Sequence, residues 1–352
     1  MSIKITGSGS YIPNQIVTNK DFSLHQFLNE DGSAFAFSNE VITEKFKGIT
    51  GIEERRYASD DLQTSDIATI AAKKAIEDAK IDPETLDYII FAHNFGDVKK
   101  GTIQGDMLPS LASKLKHNLR IQNPKCVAYD MLFGCPGWVE GVIQATAFIK
   151  AGMAKKCLVI GAETLSRVVD PHDRDSMIYS DGAGATIIEA TTDEGGILAH
   201  ESATFAYNEA HYLSFGASFN KEHNQDVRYI KMLGRKIYEF ALINVPKAMK
   251  ECLDNSGIDI SQLKKILIHQ ANEKMDEAII QRFYKLYSQM PPDGIMPMSI
   301  HKLGNSSVAT VPTLYDSLIK GEIENQSIAK GDVLIFASVG AGMNVNAIVY
   351  RY

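Results

Sequence analysis

The sequence has few cysteines, no long apolar run and no basic block, and each absence argues against a class of protein. Its 352 residues include four cysteines, and no two of them form a Cys-x-x-Cys pair. A zinc site and a disulfide framework are therefore not expected. No stretch of about 18 apolar residues occurs, so no membrane-spanning helix is predicted. The net charge of −7, without a Lys/Arg block, argues against general nucleic-acid binding.

What is present is typical of a folded, soluble protein. The chain is 45% hydrophobic and 22% charged, and it is long enough for one large unit or two domains. Its first residues predict a strand and a turn, without the apolar core of a signal peptide. Because the cysteines are also expected to be reduced, we predict a cytoplasmic protein.

Strand-like and helix-like segments alternate along the chain, which predicts an α/β fold. Strands are predicted at residues 3–10 and 86–92, and helices at residues 63–80, 108–119 and 136–150. Residues 21–47 give a mixed, partly irregular pattern. Residues 94–105 and 220–225 are predicted to form loops, since they are polar.

The second half of the chain resembles the first. Residues 81–91 match residues 258–268, Gly134-Cys135 matches Gly304-Asn305, and a Gly-Ala-Gly triplet at 182–184 recurs at 340–342. Because these matches occur in the same order, we predict two similar α/β halves, 1–192 and 193–352, without a flexible linker.

Cys135 is the strongest candidate nucleophile. It follows an apolar run and Gly134, and it precedes a predicted helix in which Pro136 suits the first position. Unpaired N–H groups and the positive end of a helix dipole favour a thiolate, which is the reactive form of cysteine. The alternative is that Cys135 is a small buried residue beside a turn.

Two further candidates lie in the second half. His269 ends an apolar strand, at the edge of a sheet where ligands of α/β proteins bind. Asn305 is the repeat counterpart of Cys135, so two packed halves would bring both helix starts together. Each has an ordinary alternative: His269 as a satisfied surface or core residue, and Asn305 as a turn or helix cap.

Several motifs together resemble 3-oxoacyl-(acyl-carrier-protein) synthase III of the thiolase superfamily. The three that carry candidate residues are Gly134-Cys135-x-Gly137, Ile268-His269-Gln270-Ala271-Asn272 and Gly304-Asn305-Ser306-Ser307-x-Ala309-x-x-Pro312. Three more are Thr50-Gly51-Ile52-Glu53-Glu54-Arg55-Arg56, Asp170-Pro171-His172-Asp173-Arg174 and Ser180-Asp181-Gly182-Ala183-Gly184-Ala185. They occur in family order over nearly the whole chain. The resemblance implies a thiolase-like fold with two pseudo-repeated halves in layers of helix and sheet, αβαβα.

The resemblance also implies a Cys135–His269–Asn305 site for a decarboxylative Claisen condensation. Cys135 would carry the acyl group, while its own N–H and the Gly340-Ala341-Gly342 turn would hold the oxyanion. His269 and Asn305 would bind the thioester carbonyl of a malonyl-type substrate as its enolate forms. No metal and no cofactor is expected, since the substrates arrive as thioesters of coenzyme A or of an acyl carrier protein.

Substrate contacts follow from the resemblance less directly. Arg174 would be half of a clamp on the adenine of coenzyme A, whose usual tryptophan is replaced by a stretch containing Phe46. The chain's tryptophan, Trp138, lies beside the nucleophile and is a candidate substrate contact. Leu108 would border the acyl pocket of a neighbouring subunit in a homodimer. Because residues 94–107 form a longer loop than the family has, primer length, preferred carrier and pathway stay open. The pathway could be fatty acid synthesis, or a specialised branch that takes preformed acyl or 3-ketoacyl thioesters, as synthases of dialkylresorcinols and other secondary metabolites do.

An acidic carrier protein needs a basic docking surface. Lys274, Arg282 and Lys285 follow His269 on a predicted helix and match the family's docking helix, although a solvated helix face would look the same. Two other functions stay open: an acyltransferase that forms esters or amides without decarboxylation, and a non-catalytic partner subunit. The intact Cys135, His269 and Asn305 argue against the second.

Overall fold

The computed structural model describes residues 2–352. Its strands are β1 (Ser2–Tyr11), β2 (Gln15–Thr18), β3 (Glu54–Tyr57), β4 (Tyr88–Ala92), β5 (Asp97–Val98), β6 (Gly105–Asp106), β7 (Val127–Met131), β8 (Lys156–Thr164), β9 (Asp181–Thr191), β10 (Gly196–Thr204), β11 (Leu213–Gly216), β12 (Tyr229–Met232), β13 (Leu263–Ile268), β14 (Val333–Gly340) and β15 (Asn344–Arg351). Its helices are α1 (Asn39–Thr50), α2 (Thr64–Ala79), α3 (Leu111–Asn118), α4 (Gly137–Lys150), α5 (Ala206–Glu209), α6 (Gly234–Ser256), α7 (Glu273–Lys285), α8 (Ile300–Leu303) and α9 (Thr310–Ile319).

Two sheets form the framework of the molecule. The first has the strand order β1-β9-β8-β4-β7, with β4 parallel to both β7 and β8. The second has the order β10-β15-β14-β13, with β13 parallel to β14. The chain passes from one sheet to the other between Thr191 and Gly196, close to the predicted boundary at residue 192.

Helices cover both sheets and fill the space between them. Helices α4 and α9 pack between the sheets in one apolar cluster that includes Trp138, Leu314 and Phe336. Helices α2 and α3 cover the outer face of the first sheet, and α6 and α7 cover the outer face of the second. The predicted αβαβα layers are therefore confirmed.

The internal repeat has the same local structure in both halves. In each matched segment a short 3₁₀ turn leads into a parallel strand, β4 or β13. Cys135 stands just before α4, and Asn305 stands before the 3₁₀ turn that leads into α9. Both central helices therefore start at the same end of the interior, where the candidate residues lie.

The segments with mixed patterns differ most from the sequence-based expectation. Residues 39–50, inside the stretch expected to be partly irregular, form α1, and the loop at residues 94–105 contains β5 and part of β6. Helix α3 begins at Leu111 rather than at 108, because Ser110 caps it by accepting a hydrogen bond from the N–H of Ser113. Pro136 is the N-cap of α4 rather than its first helical residue.

Between residues 2 and 352, none of the helices has the length and apolar character needed to cross a membrane.

Candidate active site

The turn that carries Cys135 is shaped by two glycines. Gly134 has a φ of +68°, in the left-handed region that favours glycine. A Cβ at Gly134 would lie 2.6 Å from the backbone nitrogen of Ala341, and a Cβ at Gly340 would lie 2.4 Å from that of Cys135. The nucleophile turn and the turn after β14 therefore pack backbone against backbone, and only glycine fits at both positions.

This contact places the proposed oxyanion donors side by side. Strand β14 ends at Gly340, and Gly342 takes a φ of +78° as the chain turns into β15. The backbone of Cys135 faces that turn, and both Cys135 and Ala341 line one cavity. The role of Cys135, Gly340, Ala341 and Gly342 as backbone N–H donors to an oxyanion stays a prediction.

Ser307 links the three predicted catalytic residues. Its Oγ donates a hydrogen bond to Cys135 Sγ at 3.4 Å, and its backbone N–H donates to Asn305 Oδ1 at 2.7 Å. Its backbone also contacts the His269 ring. Ser307 has a φ of +54°, a conformation that a serine adopts only when its surroundings hold it there. The structure thus brings Cys135, His269 and Asn305 together around one residue.

Asn305 is fixed through its backbone as well as its side chain. Its N–H donates to the carbonyl of Ile178 at 3.0 Å, and its carbonyl accepts from Ser180 N–H at 2.8 Å. Since Oδ1 already accepts from Ser307, the amide's Nδ2 is the group left to donate to a ligand.

His269 is buried and neutral. It follows β13, and its backbone N–H donates to Ala337 of β14 at 2.8 Å. Burial lowers the pKa of His269 to about 4, and the contact with the Ser307 backbone acts in the opposite direction. Its Nδ1 has no hydrogen-bond partner among the described residues. A neutral ring with a free nitrogen can accept a proton or, as the other tautomer, donate one.

The thiol of Cys135 is not ionised at rest. Burial raises the pKa of Cys135 to about 11, the hydrogen bond from Ser307 lowers it, and Glu163 raises it. Removal of the sulfur from water therefore acts against the thiolate that the start of a helix favours. The sulfur must lose its proton during the reaction, and the neutral His269 ring, linked to Cys135 through Ser307, is the candidate base.

Two cavities border the site, one at Cys135 and one at Asn305. The inner cavity, of about 290 Å³, is lined by Cys135, Ser307 and Ala341 and by a mainly apolar set: Phe95, Leu165, Tyr179, Leu213, Phe215 and Ile230. The entrance cavity, of about 380 Å³, reaches Asn305 and Asn272 at depth and is otherwise lined by residues that include Phe35, Phe37, Lys45, Phe46, Ile49, Arg174, Arg235 and Tyr238. The site can therefore hold an apolar chain on one side and receive a second molecule from the other.

The predicted substrate contacts have different outcomes. Arg174 and Phe46 line the entrance cavity, and the Arg174 guanidinium lies 5.5 Å from the centre of the Phe35 ring. Trp138 lies outside both cavities: it is fully buried, packs edge-on against Phe336 and donates from Nε1 to Thr186. The prediction for Trp138 is therefore wrong. Leu108 is 90% exposed and lines neither cavity, so its contact with a neighbouring subunit stays a prediction.

The three basic residues of the docking prediction all lie on α7 and are exposed. Arg282 donates from its guanidinium to the carbonyl of Leu242 on α6 at 3.2 Å. The helix begins beside the entrance cavity, which Asn272 and Met275 line. Lys274 therefore lies in the turn of α7 that borders the cavity, whereas Arg282 and Lys285 lie in its last turn, and the docking role of the three stays a prediction.

Sequence reasoning missed several residues around the nucleophile. Ser307 belongs to the motif from Gly304 to Pro312, but nothing in the sequence shows its left-handed backbone or its hydrogen bond to Cys135. Asn94 lies in a stretch that predicts a loop, and Glu163 lies in a largely apolar strand. A charged residue within such a strand is the one signal that could have singled out Glu163.

Comparison with known proteins identifies the family. The models for 3-oxoacyl-[acyl-carrier-protein (ACP)] synthase III and for its C-terminal domain match residues 129–205 and 253–352. A beta-ketoacyl-[acyl-carrier-protein] synthase III of Erythrobacter litoralis is 32% identical over 99% of this chain and 98% of its own length. The chain belongs to the 3-oxoacyl-ACP synthase III family. The synthase III of Aquifex aeolicus is 31% identical over 100% of both chains.

The solved structures agree with this family. The crystal structure of the Aquifex aeolicus synthase III superposes with a TM-score of 0.80 at 30% identity, covering 99% of this chain and 100% of that one. The thiolase-like fold expected from the sequence is thus that of the synthase III family.

No group of three or more His, Cys, Asp and Glu side chains among residues 2–352 is arranged to hold a metal ion.

Proposed function

We propose that this synthase III family member joins an acyl primer to a malonyl-type thioester by decarboxylative condensation. The observation that carries the proposal is the meeting of Cys135, His269 and Asn305 around Ser307, with Cys135 on the inner cavity and Asn305 on the entrance cavity. The nucleophile faces an apolar space that suits an acyl chain, and two uncharged hydrogen-bonding side chains are available for the second substrate.

In the first half-reaction the sulfur of Cys135 attacks the carbonyl carbon of the primer thioester. His269 takes the thiol proton, and the N–H groups of Cys135 and of the Gly340–Gly342 turn hold the oxyanion. The bond to the carrier sulfur then breaks, and the departing thiolate takes up the proton. The acyl chain extends into the inner cavity, whose lining is mainly apolar.

In the second half-reaction a malonyl-type thioester enters with its carbonyl oxygen between His269 and Asn305. Loss of CO2 leaves an enolate, whose negative oxygen accepts hydrogen bonds from the histidine ring and from Asn305 Nδ2. Each such donor lowers the activation free energy by roughly 2.7–4 kcal/mol. The enolate carbon attacks the acyl carbonyl, the bond to Cys135 breaks, and the Cys135 thiolate takes up a proton from solvent.

We also propose an acyl carrier protein as partner for at least one substrate. The mouth of the entrance cavity carries Lys45, Arg174 and Arg235, and the exposed basic residues of α7 start beside it. An acidic carrier would be attracted to this surface although the whole chain has a net charge of −7. The same cavity would admit coenzyme A thioesters as smaller substrates.

The edge of the first sheet supports a homodimer. Strand β7 is the edge strand, and Val127 and Leu132 beside it are 46% and 62% exposed. Leu108 is 90% exposed, and Phe215, on the wall of the inner cavity, is 45% exposed. An unpaired edge with apolar neighbours favours pairing with another copy.

Since all four cysteines are free thiols, we also propose a reducing, cytoplasmic location.

A CO2-release assay tests the reaction. Purified protein is incubated with carboxyl-labelled malonyl thioester, on coenzyme A or on carrier protein, with and without short acyl donors. We expect acyl-dependent release of CO2 and a 3-oxoacyl product, both lost in Cys135→Ala. Transfer of the acyl group to an amine or alcohol without release of CO2 would instead favour the non-decarboxylating alternative.

A further inference from the structure

Glu163 is a carboxyl group buried behind the nucleophile, and the mechanism above does not use it. It lies near the end of β8 and is 1% exposed. Its Oε1 accepts two hydrogen bonds from Asn94, one from the backbone N–H and one from Nδ2, each at 2.6 Å. Its Oε2 is buried without a partner in residues 2–352. An ionised carboxylate in such a place would be costly, whereas a neutral acid is tolerated.

Asn94 connects this carboxyl to both sides of the site. Its Oδ1 accepts from the backbone N–H of Gly134 at 3.1 Å, directly before the nucleophile. Its Nδ2 also lies 3.3 Å from Ser307 Oγ, the hydroxyl that donates to Cys135 Sγ. A chain of short contacts therefore runs from Glu163 through Asn94 to the nucleophile turn and to Ser307.

Charge as well as geometry links Glu163 to the sulfur. Burial raises the pKa of Glu163 to about 8, the bonds from Asn94 lower it, and Asp181 on the adjacent strand β9 raises it. Asp181 is itself held by Ser166 and Ala58 and faces Arg167. An ionised Glu163 in turn opposes ionisation of Cys135. The Glu163 carboxylate and the Cys135 thiolate would repel each other in this enclosed space, so ionising both is unfavourable.

We propose that Glu163 is a positioning residue for Cys135. As a neutral acid it fixes Asn94, which holds the Gly134 turn and the Ser307 hydroxyl in place beside the sulfur. Once Glu163 loses its proton at alkaline pH, its negative charge suppresses the Cys135 thiolate. This inference rests on Cys135 being the nucleophile of the proposed function, but it does not depend on which substrates are condensed.

The charge effect is tested by alkylating Cys135 with iodoacetamide, from about pH 6 to about pH 10. Peptide mass spectrometry follows Cys135 separately from the other three cysteines. The variant Glu163→Gln keeps an oxygen that can accept from Asn94 but cannot ionise. The control Glu140→Gln removes a carboxyl on α4 whose partners are Ser202 and Asn346.

We expect Glu163→Gln to react at close to the wild-type rate at the acidic end and about tenfold faster at the alkaline end. Glu140→Gln should follow the wild-type profile. If Glu163→Gln and wild type gave superimposable profiles, the charge effect would be overturned. The result does not require a thioester substrate, so it stands apart from any failure of the condensation assay.

The positioning role is tested by comparing Glu163→Gln with Glu163→Ala in single-turnover acyl loading. Alanine leaves both donors of Asn94 unsatisfied, so we expect loading of Cys135 to fall at least tenfold, with glutamine restoring most of it. Equal loading by both variants would rule out the positioning role. If Glu163→Ala does not fold, Asn94→Asp provides the second comparison, because it keeps the Gly134 acceptor and removes the amide donor. Loading by Asn94→Asp equal to wild type would then overturn the proposal.

Discussion

At the scale of single residues, the site depends on groups that are uncharged before the reaction starts. His269 is neutral, the Cys135 thiol is protonated, and the backbone N–H groups around the oxyanion position carry no net charge. Charge appears only as the reaction proceeds, first on the sulfur and then on the enolate oxygen. Fixed dipoles that stabilise a charge only in the transition state accelerate the reaction without binding the substrate too tightly.

The division of roles predicts separable effects for His269→Ala and Asn305→Ala. In the proposed mechanism both side chains donate to the enolate oxygen, so release of CO2 should fall by about 10²–10³ in Asn305→Ala. Acyl loading should survive better in Asn305→Ala than in His269→Ala, since only the histidine also removes the thiol proton. Loading and CO2 release are measured with separately labelled acyl and malonyl thioesters. Loss of loading in Asn305→Ala as complete as in Cys135→Ala would contradict this assignment.

The depressed pKa of His269 predicts a loss of stability in acid. The folded ring takes a proton only near pH 4, whereas an unfolded histidine does so at about 6.5. Stability is therefore lost as the pH falls from about 6.5 towards 4, by up to about 3 kcal/mol. Urea unfolding at neutral and acidic pH should show a smaller loss for His269→Gln than for wild type. His200→Gln, which removes an exposed histidine, is the control and should behave as wild type.

At the scale of elements, regular segments could be predicted and contact-dependent ones could not. Helix α2 shows a clear apolar stripe, so its predicted range of 63–80 is close to the observed Thr64–Ala79. The β5–β6 pair depends on Lys114, whose Nζ joins Asp97 and Asp106 at 3.0 Å and 2.9 Å across a long loop. Such a tertiary contact leaves no periodic signal in the sequence.

The same distinction holds within the site. The repeat and the motifs were sufficient to predict Cys135, His269 and Asn305, because each stands at the end of a strand or the start of a helix. The prediction that Trp138 contacts the substrate is wrong because its position on α4 directs the ring towards Phe336 and the interior, away from the cavities. The state of the Cys135 thiol was also unpredictable, since it depends on burial by the second half of the chain.

Helix α7 provides a prediction on docking. Arg282→Glu reverses a charge on the exposed face of α7, whose first turn borders the entrance cavity, so the KM for carrier-bound substrate should rise several-fold and the effect should weaken with added salt. Coenzyme A thioesters should be little affected. Lys150→Glu, a charge reversal at the exposed end of α4, is the control. A similar change with both kinds of substrate would argue against docking at α7.

At the scale of the whole molecule, the open wall of the inner cavity predicts that activity depends on assembly. Phe215 is 45% exposed in the single chain, and it stacks on Phe95 with ring centres 4.9 Å apart. If Leu108 of a second copy covers this region, dilution to monomer should lower the activity. Sedimentation and activity are measured over the same concentration range. A fully active monomer would contradict the prediction that Leu108 of a second copy forms a shared wall of the inner cavity.

A replacement of Leu108 distinguishes the shared wall from a general effect of dilution. Leu108→Asp places a charge on a residue that is 90% exposed in the single chain, so the fold of the monomer should tolerate it. In the dimer the same charge would face an apolar cavity. We therefore expect weaker association and slower acyl loading, with unchanged far-UV circular dichroism.

The position of Cys135 on the inner cavity and of Asn305 on the entrance cavity has a consequence for the order of events. In the proposed function both thioesters arrive through the entrance cavity, and the inner cavity keeps the chain that has been transferred. The first free thiol must therefore leave before the second thioester can enter. This sequence is a ping-pong mechanism, in which the primer reacts with the free enzyme and the malonyl thioester with the acyl-enzyme, and excess malonyl thioester can occupy the free enzyme in place of the primer. Reciprocal plots at several fixed concentrations of the second substrate should be parallel, and an excess of malonyl thioester should slow its own consumption.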